Sequence, residues 1–323
     1  MSETLQWLRC PMRLREAKHG GHQVKVCSMT PLDRSHEAGK NRVMEADVLS
    51  REPVLVPLDD IGLLRFQGPD VIGFLQGYLT SDATELGDDP KFTAICNIRG
   101  RTVCTGYAWL DGQTVTLALH RSLCPVVQEF LWPYLAFSRT RLSDASEESL
   151  VIGVLENAGQ AIAGVPAPVR RLDDARQLAL LQGNAPVEAD AERDAARRAS
   201  WDLAAIEGRE VWLTADTSGE FLPQMIGLDE IGAVSFSKGC YLGQEVVARA
   251  QHLGEVKRRL AALDWSGVPP SPGTRVEVSG RRVGTVVGVA GSAEEGAALA
   301  VLRAGQSGPF TAPQSSAAFV LRD

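Results

Sequence analysis

The chain has 323 residues, 44% hydrophobic and 23% charged, with a formal net charge of −7, the profile of a globular protein of one to three domains. It has no apolar run of about 18 residues and no secretory leader pattern, so neither a membrane span nor export is expected. Its cysteines, at positions 10, 27, 96, 104, 124 and 240, form no Cys-x-x-Cys pair and no regular spacing. That argues against a zinc module and a disulfide scaffold, and for a reducing cytoplasm.

Residues 1–43 carry eight Lys and Arg against four acids, and the remainder twenty-five against thirty-six, so the body stands at about −11. Such a body repels polyanions, and no basic, aromatic-studded strip marks direct nucleic-acid binding. The first 43 residues show no sustained period of 3.6 or 2, as expected of a disordered, dispensable extension. Cys10, Cys27, His19, His22 and His36 lie there, with spacings that match no metal site.

From residue 44 the pattern turns apolar. Strands are predicted at 54–56 and 63–66. Gly68-Pro69 opens a helix whose Val71, Phe74, Leu75, Tyr78 and Leu79 make one stripe. Strands follow at 92–96, 102–110 and 114–120, the last two joined by Asp111-Gly112-Gln113. A helix is predicted over 124–135 and a strand over 150–155. The Ala- and charge-rich stretch 172–200 reads as one or two surface helices. Beyond Arg259, short β-branched segments at 260–263, 275–278, 283–289 and 297–302 alternate with Gly, Pro and Ser, the mark of a small all-β module. Helices interleaved with antiparallel strands indicate an α+β chain, not a doubly wound parallel sheet. The expected divisions are an extension over 1–43, a core of two α+β subdomains over 44–255, and a β-barrel over 256–323.

The densest chemical signal is Lys238-Gly239-Cys240-Tyr241-Leu242-Gly243-Gln244-Glu245. It places a cysteine on a glycine-rich loop leading into a short helix that continues through Arg249. A nearby lysine and a helix N-terminus both favour thiolate over thiol, so Cys240 is expected to be reactive or able to ligate, with Lys238 lowering its pKa. The competing reading is a small buried cysteine in a tight turn.

With Leu222-Pro223-Gln224, Ser235-Phe236-Ser237 and Val247-Ala248-Arg249 around it, this motif resembles the YgfZ family of folate-binding proteins. The resemblance spans about residues 50–323 and is densest from Trp201 to Arg249. It implies an α+β fold like the glycine cleavage T protein, with a folate-binding core of antiparallel sheets and helices and a small C-terminal β-barrel. It also implies a cytoplasmic protein that binds tetrahydrofolate or a derivative and supports iron–sulfur cluster assembly or repair. Its partners would be iron–sulfur proteins such as radical-type tRNA-modifying enzymes, with any effect on tRNA indirect, no stably bound metal and no membrane contact.

Carried onto this sequence, the resemblance gives Glu207 as the carboxylate that grips the pterin and Trp201 as an aromatic of the folate site. Ile61 stands where some members have tryptophan. The turn Asn97-Ile98-Arg99-Gly100-Arg101 would meet the folate glutamate tail, since guanidinium groups pair carboxylates, although basic hairpin turns are commonly just solvated. Asp82 is either a pocket residue or a helix cap. Cys240 would carry the distinctive chemistry, with Tyr241, Gln244, Glu245 and Arg249 fixing its loop. The T-protein transferases carry an aspartate pair just past the turn, where this chain reads Thr102-Val103-Cys104-Thr105. Folate-dependent aminomethyl transfer is therefore the alternative, and a conventional enzyme is not the first expectation.

Overall fold

Residue 102 begins the strand with the longest unbroken buried run among the described residues, and the core grows outward from it. In the computed structural model, which describes residues 17–19, 22–24, 54–155, 169–182, 191–253, 256–313 and 315–322, Thr102 through Trp109 are all buried. A strand apolar on both faces needs cover on both faces. It forms the interior of a five-stranded sheet built from β4 (Ile61–Gln67), β5 (Lys91–Cys96), β6 (Thr102–Asp111), β7 (Thr114–His120) and β8 (Arg141–Asp144), in the order β5-β6-β7-β4-β8. A second antiparallel sheet runs β10 (Val169–Arg171), β11 (Arg176–Gln182), β9 (Ser149–Leu155), β3 (Val54–Pro57). Helices α1 (Val71–Gln76) and α2 (Cys124–Leu135) bury Phe74, Leu75, Val127 and Leu131 in the first core.

The C-terminal strands β12 (Arg258–Ser266), β13 (Arg275–Val278), β14 (Arg281–Gly291), β15 (Glu295–Arg303), β16 (Phe310–Ala312) and β17 (Ala317–Leu321) close into a barrel. Closure removes free edges. Inside, Trp265 donates its indole N–H to the carbonyls of Ala290 and Ala297 at 3.2 Å each. Helix α3 (Ala191–Glu207) packs on both β3 and β14, so it spans the second sheet and the barrel. The chain divides by its contacts into residues 1–50 and 51–323. In the first, β1 (Ala17–His19) pairs with β2 (His22–Val24). The rest of the predicted extension, with Cys10, Cys27 and His36, lies outside the described residues. Among the described residues no helix is long and apolar enough to cross a membrane.

Three expectations are corrected. Residues 176–182 form a strand, not a helix, because β9 and β10 pair with them on both sides. A four-residue apolar run is too short for periodicity to separate the two states. Helix α1 stops at Gln76, with Gly77 as its C-cap, and Asp70 rather than Pro69 adjoins its start. Leu79 instead bridges to Ile95 on β5 while staying 1% exposed, so tertiary pairing ends the helix while the stripe stays buried. The short strands β8, β10, β16 and β17 carry too little pattern to be read in advance.

One polar cluster ties these layers together. Arg176 on β11 is 1% exposed. Its two terminal nitrogens donate to the two carboxylate oxygens of Glu210, and its Nε donates to Asp173 Oδ2 at 2.7 Å. Tyr107 on β6 donates its hydroxyl to the same Glu210. The Arg176 guanidinium lies 5.5 Å from the centre of the Trp201 ring on α3. That ring packs on Gly153 of β9, where a Cβ would come within 2.6 Å of it.

Breaking a buried ion pair from one side costs about 3–5 kcal/mol, whereas replacing both partners by apolar groups of similar volume costs far less. We expect Arg176→Met and Glu210→Met each to lower urea stability on that scale, and the double substitution to lower it less than either alone. If the double variant loses the sum of the two, the pair carries no coupling.

Candidate functional site

Where α3 meets the barrel and the start of β4, the fold leaves a cavity of about 270 Å³. Its apolar wall includes Ile61, Trp201, Ile206, Trp212, Val287 and Val289, and its polar groups are Asp60, His120, Arg198, Asp202, Glu210 and Thr214. Arg198 organises the polar side. It forks onto Asp60 at 2.6 and 2.7 Å and gives its Nε to both oxygens of Asp202 at 2.9 Å.

The two carboxylates are pushed apart in acidity. Burial would raise Asp60, but the Arg198 fork outweighs it and holds that carboxyl below its ordinary value. Burial wins at Asp202, whose pKa is raised in spite of Arg198. His120 is pulled down by burial, against the nearby Asp60 charge, so its ring is largely neutral at pH 7. Asp202 receives one N–H shared between two oxygens, which leaves acceptor capacity toward a ligand with paired N–H donors.

Of the expected folate residues, Trp201 and Ile61 line this cavity. Glu207 does not: it is the last residue of α3 and exposed, while Glu210, three residues on, lines the cavity but is bound to Arg176 and Tyr107. Trp201, at 5% exposure, also packs its ring against Gly153 and Arg176. The unforeseen members are Asp60, His120, Arg198, Asp202 and Glu210. A signal existed for two of them. Arg198, Trp201, Asp202 and Ala205 fall at i, i+3, i+4 and i+7, placing a charged pair on the apolar stripe of a helix.

The basic turn and the cysteine motif form a second constellation. Gly243, at φ +82°, allows no Cβ, which would lie 2.3 Å from the Asn97 carbonyl; a Cβ on Gly100 would meet Val246 at 2.9 Å. The turn is thus docked on the cysteine loop, not on the cavity wall. Asn97 Oδ1 accepts the backbone N–H groups of Arg99 and Arg101 at 2.9 and 3.1 Å, and Arg101 donates to the Glu220 carbonyl at 2.9 Å. Asp82 takes the capping role, accepting from Thr84 N at 2.9 Å at the start of a short 3-10 turn.

Helix α4 (Gln244–Leu253) begins directly after Gly243. Gln244 Oε1 accepts the Tyr241 N–H at 3.1 Å and the Leu242 N–H reaches the Gly77 carbonyl at 2.9 Å. Cys240 is exposed, as are Glu245 and Arg249, whereas Cys96, Cys104 and Cys124 are buried. Burial pushes the Cys96 and Cys104 thiols up to about 12, which makes them inert at neutral pH. Lys238 does not serve as the expected neighbour of the thiol. Its ammonium is buried on the carbonyls of Leu79 and Ser81, at 2.7 and 2.8 Å, and lies 5.2 Å from the Tyr241 ring centre. It pins the loop to the chain after α1.

Burial lowers Lys238 to about 8 from 10.5, against the pull of Asp82. Between those pH values the unfolded chain holds the proton that the folded protein has released, so stability rises with pH. We expect urea stability to gain from pH 8 to 10 in the parent protein and to gain less in Lys238→Met. Equal pH slopes would show that this lysine titrates alike in both states.

A family model described as the CAF17 C-terminal beta-barrel domain matches residues 257–318. The chain is 30% identical over 277 residues to the tRNA-modifying protein YgfZ of Cronobacter sakazakii, covering 72% of this chain and 79% of that one. It is 28% identical over 300 residues to the tRNA-modifying protein YgfZ of Pectobacterium carotovorum, covering 84% and 85%. In fold it is similar to the glycine cleavage system aminomethyltransferase T of Bartonella henselae, with a TM-score of 0.59 at 16% identity over 84% of this chain and 85% of that one. These matches, reached from the motif, the two sheets and the closed barrel, show that the chain belongs to the YgfZ family and is built on the aminomethyltransferase T fold.

Proposed function

We propose that this protein binds a tetrahydrofolate derivative and acts as an accessory factor for iron–sulfur cluster assembly or repair, supporting tRNA modification indirectly through iron–sulfur enzymes. The observation that carries the reading is the contrast among the described cysteines: three are buried, and Cys240 alone is exposed, on a loop fixed by glycine contacts and by Lys238. A thiolate is a soft ligand suited to iron–sulfur species, but one thiolate does not hold a cluster, so any cluster contact is shared with a partner. The relatives' name, tRNA-modifying protein, supports the same direction.

The cavity fits the head of a folate. A pterin presents an amino group and a ring N–H side by side, the donor pair that a carboxylate with open acceptor sites receives. Asp202 is such a carboxylate, with Ile61 and Trp212 among the apolar groups lining the same cavity. At about 270 Å³ it falls just below the usual span of small-molecule cavities, roughly 300–1,000 Å³, so it takes the pterin head and leaves the glutamate tail outside. Bound there, a folate would supply one-carbon chemistry; these residues orient its ring and exclude water.

The fold likeness favours a second reading, one-carbon transfer. Against it, the start of β6 offers no carboxylate. Thr102 and Thr105 are buried, and Thr105 spends its hydroxyl on the Val211 carbonyl at 2.6 Å.

In tryptophan-fluorescence titrations with tetrahydrofolate, we expect Asp202→Asn to weaken binding roughly tenfold, the scale of a hydrogen bond to a charged group. Glu207→Gln should bind like the parent. The reverse ranking would move the pterin site to Glu207. Cys240→Ser should fold and bind folate but fail to restore iron–sulfur enzyme activity in cells lacking the native protein. Full restoration, or turnover of methylene-tetrahydrofolate by the purified protein, would favour the transferase reading.

A further inference from the structure

Several of the exposed apolar side chains gather around the cysteine loop. Ile98 is 75% exposed and Val246 is 37% exposed. They belong to the turn and the helix that meet where Gly100 packs on Val246 and Gly243 on Asn97. Phe236, 39% exposed, stands at the other end of the loop, its ring 6.3 Å from that of His252 on α4. The segment from Phe236 to Gly243 is therefore tied to α4 at both ends, with Cys240 exposed in its middle.

Arg99 follows Ile98 directly, and Arg249 lies one helical turn beyond Val246; both are exposed. Among the described residues neither arginine is in an ion pair. Two unspent guanidinium groups flank an apolar surface, on a chain whose net charge is −7. Apolar groups with arginine, beside a polar rim, are the composition of protein interfaces.

We propose that this face docks a partner protein whose contact surface is apolar at its centre and acidic at its rim, delivering it to Cys240. The proposal rests on the reading of Cys240 as the working thiol. Charge selects the occupant. A second copy of this chain would set two arginines and the exposed carboxylate of Glu245 on one face against the same set on the other, and the net like charge opposes that pairing. A nucleic acid takes about 6–10 phosphate contacts for a typical footprint, and this face has two free arginines. Ile98 and Val246 suit a protein's apolar side chains.

The test places the photo-crosslinking residue p-benzoylphenylalanine at position 98 in the full chain, in cells, with position 320 on the barrel as control, since Val320 is 67% exposed. We expect irradiation to give protein adducts at 98 and not at 320. The crosslinked peptides, identified by mass spectrometry, should be acidic and apolar, and the adducts should be lost on adding Arg99→Glu and Arg249→Glu. Ile98→Asp should retain the parent's melting temperature and folate affinity while lowering restored iron–sulfur enzyme activity roughly tenfold, as for loss of an interface anchor. Equal adducts at both positions, adducts to RNA or to the chain itself, adducts indifferent to charge reversal, or full activity of Ile98→Asp would each overturn the proposal. Cys240→Ser separates the two readings. If it restores full activity while Ile98→Asp does not, the thiol reading fails and the docking face stands.

Discussion

A guanidinium 1% exposed costs several kcal/mol to desolvate unless every N–H finds an acceptor, and Arg176 sets that demand on the fold. Its acceptors are drawn from Asp173 before β11 and Glu210 after α3, and Glu210 in turn holds the Tyr107 hydroxyl from β6. Burial and the Glu210 charge hold Tyr107 far above its ordinary value, so it remains a donor. Three segments distant in sequence are brought to one point. Trp201 is packed against the same guanidinium, which fixes the rotation of α3 and therefore which of its residues face the cavity.

The rotation of α3 explains why the cavity is lined as it is. With Trp201 turned onto Gly153, Arg198 and Ala205, a turn away on either side, and Asp202, one turn beyond Arg198, line the cavity. Glu207 falls outside that stripe. Asp202 lies on it and accepts the Arg198 Nε–H at 2.9 Å.

The cysteine loop obeys a different constraint. Exposing a thiol while keeping its backbone rigid requires that the loop be held from below, and the Asn97–Arg101 turn by packing, Gly77 by its carbonyl and Lys238 by its ammonium do so. Lysine suits this because a long apolar stem can cross the core and end on carbonyl oxygens. Its charge is thus spent inside the fold, and the exposed arginines of this constellation, Arg99 and Arg249, stand on separate elements, the turn and α4.

Local residue order determined much of this protein by itself. The spans of β7, α2 and β13 follow from periodicity and turn residues within a few neighbours. The glycine-framed cysteine at a helix start is likewise local, because Gly243 at positive φ and the helix after it need only the next ten residues. Pairing partners decided the rest. Residues 176–182 became a strand through β9 and β10, and α1 ended where Leu79 met β5. Asp60, His120, Arg198, Asp202 and Glu210 converge from four stretches of chain, and the basic turn docked on the end of the cysteine loop instead of the cavity. Hydrophobic period and backbone conformation are short-range properties that a sequence displays directly. Which charges share a low-dielectric space depends on how the layers pack, and only the tertiary structure decided that.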